Sequence, residues 1–169
     1  PLFPSQWALL NTGQTGGTPG ADIDAVNAWN ITNESPDIII GLLDTGVDYI
    51  HEDLKDSIWT DPVTGEHGYD FFNDDPDPMD DQSHGTHAAG IIAATGNNHL
   101  GVTGVTWKAK IMALKIRCQG DFSTYEIIRA IQYAKEHHAD MLVFPWDDSM
   151  TSQAMKDAIE AFPGPFIWS

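Results

Sequence analysis

Two short segments carry side chains that are suited to acid–base chemistry. Residues 44–48 read Asp-Thr-Gly-Val-Asp, and residues 84–90 read His-Gly-Thr-His-Ala-Ala-Gly. Asp44 directly follows an apolar run rich in β-branched residues, which is typical of a strand buried on both faces. Functional groups of open α/β sheets collect beyond the carboxyl ends of the strands, so Asp44 is a candidate catalytic carboxylate. An Asp here also suits the capping of a turn, and local spacing leaves both interpretations open.

The second segment offers an imidazole at the predicted start of a helix. The positive end of the helix dipole disfavours the imidazolium form of His84, and a general base should be neutral at rest. A structural role is an alternative, and so is a metal site, since His87 follows at i+3 with Asp80 and Asp81 nearby. Zinc normally takes three or four protein ligands. The small residues around the two histidines favour a tightly packed helix over a metal site.

The elements that must position these groups alternate between strand and helix. Apolar runs predict strands at 37–43, 110–116, 140–144 and 165–168, and periodic patterns predict helices at 22–30, 84–94, from Ser123 onwards and at 152–162. In the first helix, Ile23, Val26 and Trp29 are expected on one face. Residues 1–20 are expected to form an irregular arm, and 45–83 a long acidic connection. The order predicts a single α/β domain, a parallel β-sheet with helices on both faces.

Charge narrows the classes of partner. The 169 residues carry 25 acidic against 8 basic side chains, a formal net charge of −17, which argues against nucleic acid and anionic membranes. No stretch is long and apolar enough to span a membrane. Cys118 is the only cysteine, so an internal disulfide is excluded. The aspartates between residues 70 and 81 suit either a solvated loop or a calcium site.

The two motifs resemble those of one family. Residues 44–48 with His-Glu-Asp-Leu at 51–54 resemble the catalytic-Asp segment of subtilisin-like serine proteases (subtilases), and residues 84–94 resemble the catalytic-His segment. The resemblance continues through 97–105 and 111–116 and covers nearly the whole chain. It implies the amino-terminal portion of a subtilase catalytic domain, a truncated subtilisin-like three-layer sandwich. In the family, the residue matching Asp44 orients the His, and the one matching His84, not His87, takes a proton from a serine.

The chain departs from this family at the nucleophile. The family's Gly-Thr-Ser-Met-Ala segment and its oxyanion-hole Asn have no counterpart in residues 1–169. Residues 143–149 replace an Asn-Met-Ser-x-Gly-Gly stretch that pairs with the substrate backbone, and Pro145 removes a donor, so we expect weaker peptide binding by strand addition. Ser149 is a conceivable replacement nucleophile, although an N-cap role fits it better. Ser83 and Ser123 are weaker candidates.

The resemblance also implies structural calcium at two oxygen-only sites. The first is expected at Asp53 with the side-chain oxygen of Asn98 and the carbonyls of Leu100 and Val102. The second is expected in the acidic connection. Its ligands would be Asp70, Asn73, Asp75, Asp77 and the carbonyl of Met79.

The function expected from these observations is a subtilase-derived hydrolase that contains Asp44 and His84. It would cleave peptide bonds once a carboxyl-terminal piece completes it, or cleave activated esters or amides as a short variant. The alternative is an inactive, truncated subtilase acting as a calcium-binding or interaction module. The resemblance implies an extracellular protein. An exposed sheet edge and inner surface predict self-association or domain swapping.

Overall fold

The protein forms one parallel sheet with helices packed on it. A computed structural model describes residues 1–117, 123–147 and 152–169, and within them five strands lie in the order β2-β3-β1-β4-β5. The strands are β1 (Ile39–Asp44), β2 (Gly68–Asp70), β3 (Lys110–Lys115), β4 (Met141–Phe144) and β5 (Phe166–Trp168). The helices are α1 (Ala25–Trp29), α2 (His84–Ala93), α3 (Thr124–Glu136) and α4 (Gln153–Glu160). The predicted α/β fold with a parallel sheet is confirmed.

Apolar side chains cover both faces of the sheet. Successive residues of a strand point to opposite faces, so Leu42 packs with the α2 side and Leu43 with the α3 and α4 side, each fully buried. Small residues of α2, among them Ala89 and Ala93, are also fully buried and let that helix lie close to β1 and β3. The central strands therefore read as continuous apolar runs because neither face meets water.

Strand β2 was not predicted from the sequence. It has three residues, lies at one edge of the described sheet, and pairs with β3 from Gly68 opposite Ala113 to Asp70 opposite Lys115. Gly68 has φ of +143°, and a Cβ there would lie 1.8 Å from the carbonyl oxygen of Ala113. A strand of this length, begun by glycine and ended by aspartate, gives no apolar pattern to detect.

The amino-terminal arm is irregular, as expected, apart from one 3-10 turn at Phe3–Ser5. It is attached to the body because Gln6 bonds Thr103 twice, through Nε2 to the carbonyl oxygen at 2.8 Å and through Oε1 from the N–H at 2.9 Å. The first helix is shorter than predicted: Ile23 precedes α1 and is 58% exposed, and Ala25 is the buried residue of α1. No helix in the described parts of the chain is long and apolar enough to cross a membrane.

Candidate active site

The structure brings the two predicted catalytic residues together at the carboxyl end of the sheet. Asp44 is the last residue of β1, and His84 is the first residue of α2. The Nδ1 atom of His84 lies 2.8 Å from Oδ1 and 3.0 Å from Oδ2 of Asp44. Asp44 is fully buried, whereas the His84 side chain is 43% exposed. A buried carboxylate thus bonds one ring nitrogen of an imidazole that solvent can reach.

The electrostatics of the pair suit a base. Burial raises the pKa of Asp44, and bonds from the His84 ring and from the Thr45 N–H at 2.7 Å oppose that rise. An ionised Asp44 accepts only, so Nδ1 carries the proton in this bond and the neutral ring keeps its lone pair on Nε2. The arrangement can therefore take a proton at Nε2 while Asp44 stabilises the imidazolium that results.

An aromatic contact to His84 was missed at the level of sequence. The Trp146 ring lies over the His84 ring with centroids 4.1 Å apart and planes inclined by 32°. The Arg117 guanidinium lies 4.3 Å from the centroid of Trp146. Trp146 follows β4, a neighbour of β1 in the sheet, so its place at the carboxyl end of a parallel strand was the one available signal.

The metal alternative for the histidine pair finds no support. In the described residues, no group of three or more His, Cys, Asp or Glu side chains is arranged to hold a metal ion. The Asp80 carboxylate accepts bonds from Thr86, and Asp81 bonds the Lys115 ammonium at 3.2 Å. These acids lie near α2 but are bonded to protein donors.

The residues of the first expected calcium site do come together. Asp53 is 3% exposed; its Oδ1 accepts from Asn98 Nδ2 at 2.6 Å, and its Oδ2 accepts from the Val102 N–H at 3.0 Å. Gly101 closes against the carboxylate, since a Cβ there would lie 2.5 Å from Oδ2. The N–H of Leu100 donates to Asn98 Oδ1. Each Asp53 oxygen thus accepts from a protein donor, and Asn98 turns its NH₂ group, not its oxygen, toward the carboxylate. The buried carboxylate is suited to calcium, but its bonds would have to rearrange to admit the ion, so this site stays a prediction.

The second expected calcium site contains a protein cation. Lys115 is only 4% exposed. Its ammonium nitrogen lies 2.9 Å from the Met79 carbonyl oxygen and 3.3 Å from Asp70 Oδ2. The other Asp70 oxygen accepts the N–H groups of Phe72 and Asn73. This donor set does not fit calcium as it stands, because the ammonium already bonds two of its oxygens.

The remaining expected ligands of that site bond neighbouring protein donors. Asp75 Oδ1 accepts the Asp77 N–H, and Asp77 Oδ1 accepts the Tyr49 hydroxyl and the Met79 N–H. The second calcium site stays a prediction that these contacts do not favour.

The three serines considered as nucleophiles differ in where they lie and in what they contact. Ser149 lies outside the described residues. Ser83 precedes α2 in a left-handed conformation, and its N–H donates to Asp80. Ser123 begins α3 in the predicted capping box, where its N–H donates to the Glu126 carboxylate at 2.9 Å. Neither of the two described serines is therefore assigned as the nucleophile of the Asp44–His84 pair.

Comparison with known proteins agrees with the geometry. The model of the subtilase family, peptidase S8, matches residues 35–161. Human neuroendocrine convertase 2 is 38% identical over 122 residues, which are 69% of this chain and 18% of that protein. The cell wall-associated protease of Bacillus subtilis is 38% identical over 143 residues, and the thermophilic serine proteinase of Bacillus sp. AK1 is 36% identical over 143. Those matches cover 83% of this chain and 15% and 34% of the relatives.

Proposed function

Because this chain belongs to the subtilase family, we propose that it supplies the acid and the base of a serine-hydrolase triad. Asp44 is the acid and His84 is the base. The observation that carries the proposal is the bond from His84 Nδ1 to the fully buried Asp44 carboxylate. Family membership supports a serine-protease type of hydrolase in general, and the roles of these two residues are the proposal.

The mechanism follows from the tautomer that Asp44 imposes. His84 Nε2 accepts the proton of a serine hydroxyl as the serine oxygen bonds to the carbonyl carbon of a peptide or ester. The same proton then passes to the leaving nitrogen or oxygen as the bond from carbon to that atom breaks. Asp44 stays ionised throughout and stabilises the imidazolium. In this proposal, a carboxyl-terminal piece that complements residues 1–169 supplies the serine and the oxyanion donors.

The chain alone offers a weaker activity of the same kind. The exposed edge of His84 acts on small activated esters or amides, either as a base toward water or as the nucleophile itself. Without a serine and oxyanion donors, most of the rate enhancement is lost. We therefore expect slow ester hydrolysis by the chain and casein cleavage only when the nucleophile segment is present.

One set of variants tests this proposal. The 169-residue chain and the full product of its reading frame are assayed on an activated ester and on casein, each with His84→Ala and Asp44→Asn. His87→Ala is the matched control, since His87 is in the same helix and lies three residues from His84. We expect His84→Ala to abolish hydrolysis and His87→Ala to preserve it. Equal hydrolysis by wild type and His84→Ala would refute the proposal.

A calcium-binding module is the second candidate function, supported by the buried Asp53 carboxylate and its Asn98 neighbour. Ligand at a hundred times its Kd stabilises a fold by about 2.7 kcal/mol, or roughly 5–10 °C in Tm at this chain length. We expect calcium to raise Tm by that amount over EGTA, and Asp53→Asn to remove the rise. The exposed neighbour supplies the control, Glu52→Gln. A Tm that calcium leaves unchanged would count against this site.

Location and assembly belong to the same proposal. An extracellular place is favoured by likeness to a cell wall-associated protease. Self-association is supported by the edge strand β5, where Ile167 is 51% exposed, and by a groove of about 1000 Å³ along the outer side of α2. Trp7, Ile23 and Ile91 are exposed in that groove. Sedimentation velocity should show association that grows with concentration, and a compact monomer at every concentration would contradict it.

A further inference from the structure

The Asp80 carboxylate collects five hydrogen bonds beside the catalytic pair. Its Oδ1 accepts from the Thr45 hydroxyl at 2.8 Å and from the N–H groups of Gln82 and Ser83 at 2.9 and 3.0 Å. Its Oδ2 accepts from the Thr86 N–H at 2.8 Å and from the Thr86 hydroxyl at 2.6 Å. Burial raises the pKa of Asp80, but the bonds from Thr86, Gln82 and Thr45 outweigh burial and lower it below its usual value. The carboxylate is therefore ionised at neutral pH.

The two threonines connect the segments that carry Asp44 and His84. The Thr45 hydroxyl, next to Asp44, accepts the N–H of Gly85, next to His84, at 3.0 Å. In the opposite direction, the Thr86 hydroxyl accepts the N–H of Asp48 at 2.9 Å. Each hydroxyl thus joins the turn after β1 to the first turn of α2.

An ionised carboxylate decides which way these hydroxyls point. A hydroxyl has one proton and two lone pairs, and an ionised carboxylate only accepts. Both threonine protons must therefore go to Asp80, which leaves their lone pairs free for the N–H groups of Gly85 and Asp48. Asparagine at position 80 would disrupt this hydrogen-bond arrangement in either orientation of its amide. Its NH₂ group, which only donates, would face another donor, the N–H of Ser83 or of Thr86.

We propose that Asp80 is a positioning residue, which holds the Asp44 segment and the α2 amino terminus in the one geometry that allows the Asp44–His84 bond. This inference rests on the proposed function of that pair. Asp80 touches neither reacting atom, and acts through Thr45 and Thr86.

The test reads the Asp44–His84 bond directly in the full 169-residue chain. The His84 Nδ1 proton is observed by ¹H–¹⁵N NMR and assigned by its loss in His84→Ala. We expect Asp80→Asn to speed its exchange with solvent by about tenfold or more, the factor that matches one lost bond to a charged group. Asp81→Asn, which removes the same charge one residue away, should leave it unchanged.

Two variants of Thr86 keep the test decisive if Asp80→Asn fails to fold. Thr86→Val removes the hydroxyl at nearly constant volume and should also speed exchange, while Thr86→Ser keeps the hydroxyl and should restore the wild-type rate. If the His84 Nδ1 proton exchanges in Asp80→Asn at the wild-type rate, the inference is overturned. If Asp80→Asn does not fold, a wild-type exchange rate in Thr86→Val overturns it. If the full-length protein shows the His84 Nδ1 proton but no hydrolysis that depends on His84, the proposed function is refuted and the inference about Asp80 is not.

Discussion

Gly85 is the residue whose replacement tests the close approach of α2 to Asp44. A Cβ at this position would lie 2.0 Å from the Gly46 carbonyl oxygen, 3.0 Å from Asp44 Cβ and 3.2 Å from Asp44 Cγ. The first of these neighbours is backbone, so it cannot rotate away. Gly85→Ala must therefore move the start of α2 by about 1 Å or more to reach an ordinary van der Waals separation.

The size of the effect follows from that displacement. Overpacking in a well-packed core costs about 1–3 kcal/mol. The same shift lengthens the His84 Nδ1 to Asp44 Oδ1 distance from 2.8 Å beyond hydrogen-bond range. We expect Gly85→Ala to lower the free energy of unfolding by about 2 kcal/mol and to abolish the His84 Nδ1 proton signal.

The same helix provides the matched control. Gly90 is also buried in α2, but a Cβ there would meet only Val102 Cγ2, at 3.9 Å. Gly90→Ala should raise the free energy of unfolding by about 0.5–1 kcal/mol, because alanine restricts the unfolded chain and favours a helix. The two variants should then differ by about 2.5–3 kcal/mol, or about 5–12 °C in Tm at this chain length.

Urea unfolding of wild type and both variants measures the difference, with the His84 proton recorded on the same samples. Two outcomes would refute the reasoning. One is a Gly85→Ala variant as stable as Gly90→Ala. The other is a destabilised Gly85→Ala variant that keeps the His84 Nδ1 proton at its wild-type position, since the close approach would then not hold the pair.

Two further predictions concern buried polar groups near the sheet edge. The Asp70 carboxylate is 1% exposed, and Lys115→Met leaves it without the ammonium that it contacts. We expect this variant to lower the free energy of unfolding, measured in urea, by about 3–5 kcal/mol. Lys110→Met is the control and should change that free energy little, because the Lys110 ammonium bonds only an exposed backbone carbonyl. Burial raises the pKa of Tyr133 to about 12, so absorbance at 295 nm should show a late tyrosine step that Tyr133→Phe removes. Because the folded phenol keeps its proton after the unfolded one loses it, stability should fall as pH rises from about 10 toward 12, and less so in Tyr133→Phe.

The parts of the site that the sequence predicted are those set by local pattern. Asp44 ends a run of buried apolar residues, and the small residues after His84 predict a helix that packs closely on the sheet. Strand pairing and helix docking bring such segments to one edge of a parallel sheet with no further information. Local pattern therefore placed each segment but left the roles of Asp44 and His84 open, and the resemblance to the subtilases led us to expect them as one catalytic pair. The parallel sheet between two helical layers followed from the alternation of strands and helices alone.

The parts that were missed depend on contacts between distant segments. Trp146 meets His84 only because β4 lies beside β1, and Lys115 enters the acidic connection only because its strand pairs it with Asp44. Ile23 was expected in the first helix, on one face with Val26 and Trp29, yet it precedes α1 and lies 58% exposed in the groove. Apolar periodicity reports what could be buried, and tertiary packing decides what is.

The burial of Asp44 explains why so many polar groups surround the pair. A carboxylate removed from water is costly to ionise, and the base at His84 needs it ionised. The His84 ring and the Thr45 N–H supply bonds to it directly. Asp80 adds a second negative charge nearby, which raises the pKa of Asp44 and so works against the pair. Asp80→Asn removes this repulsion and disrupts the bonds to Thr45 and Thr86 at the same time. Because the two effects on the Asp44–His84 bond are opposite, faster exchange of the His84 proton in this variant would show that the bonds contribute more than the repulsion costs.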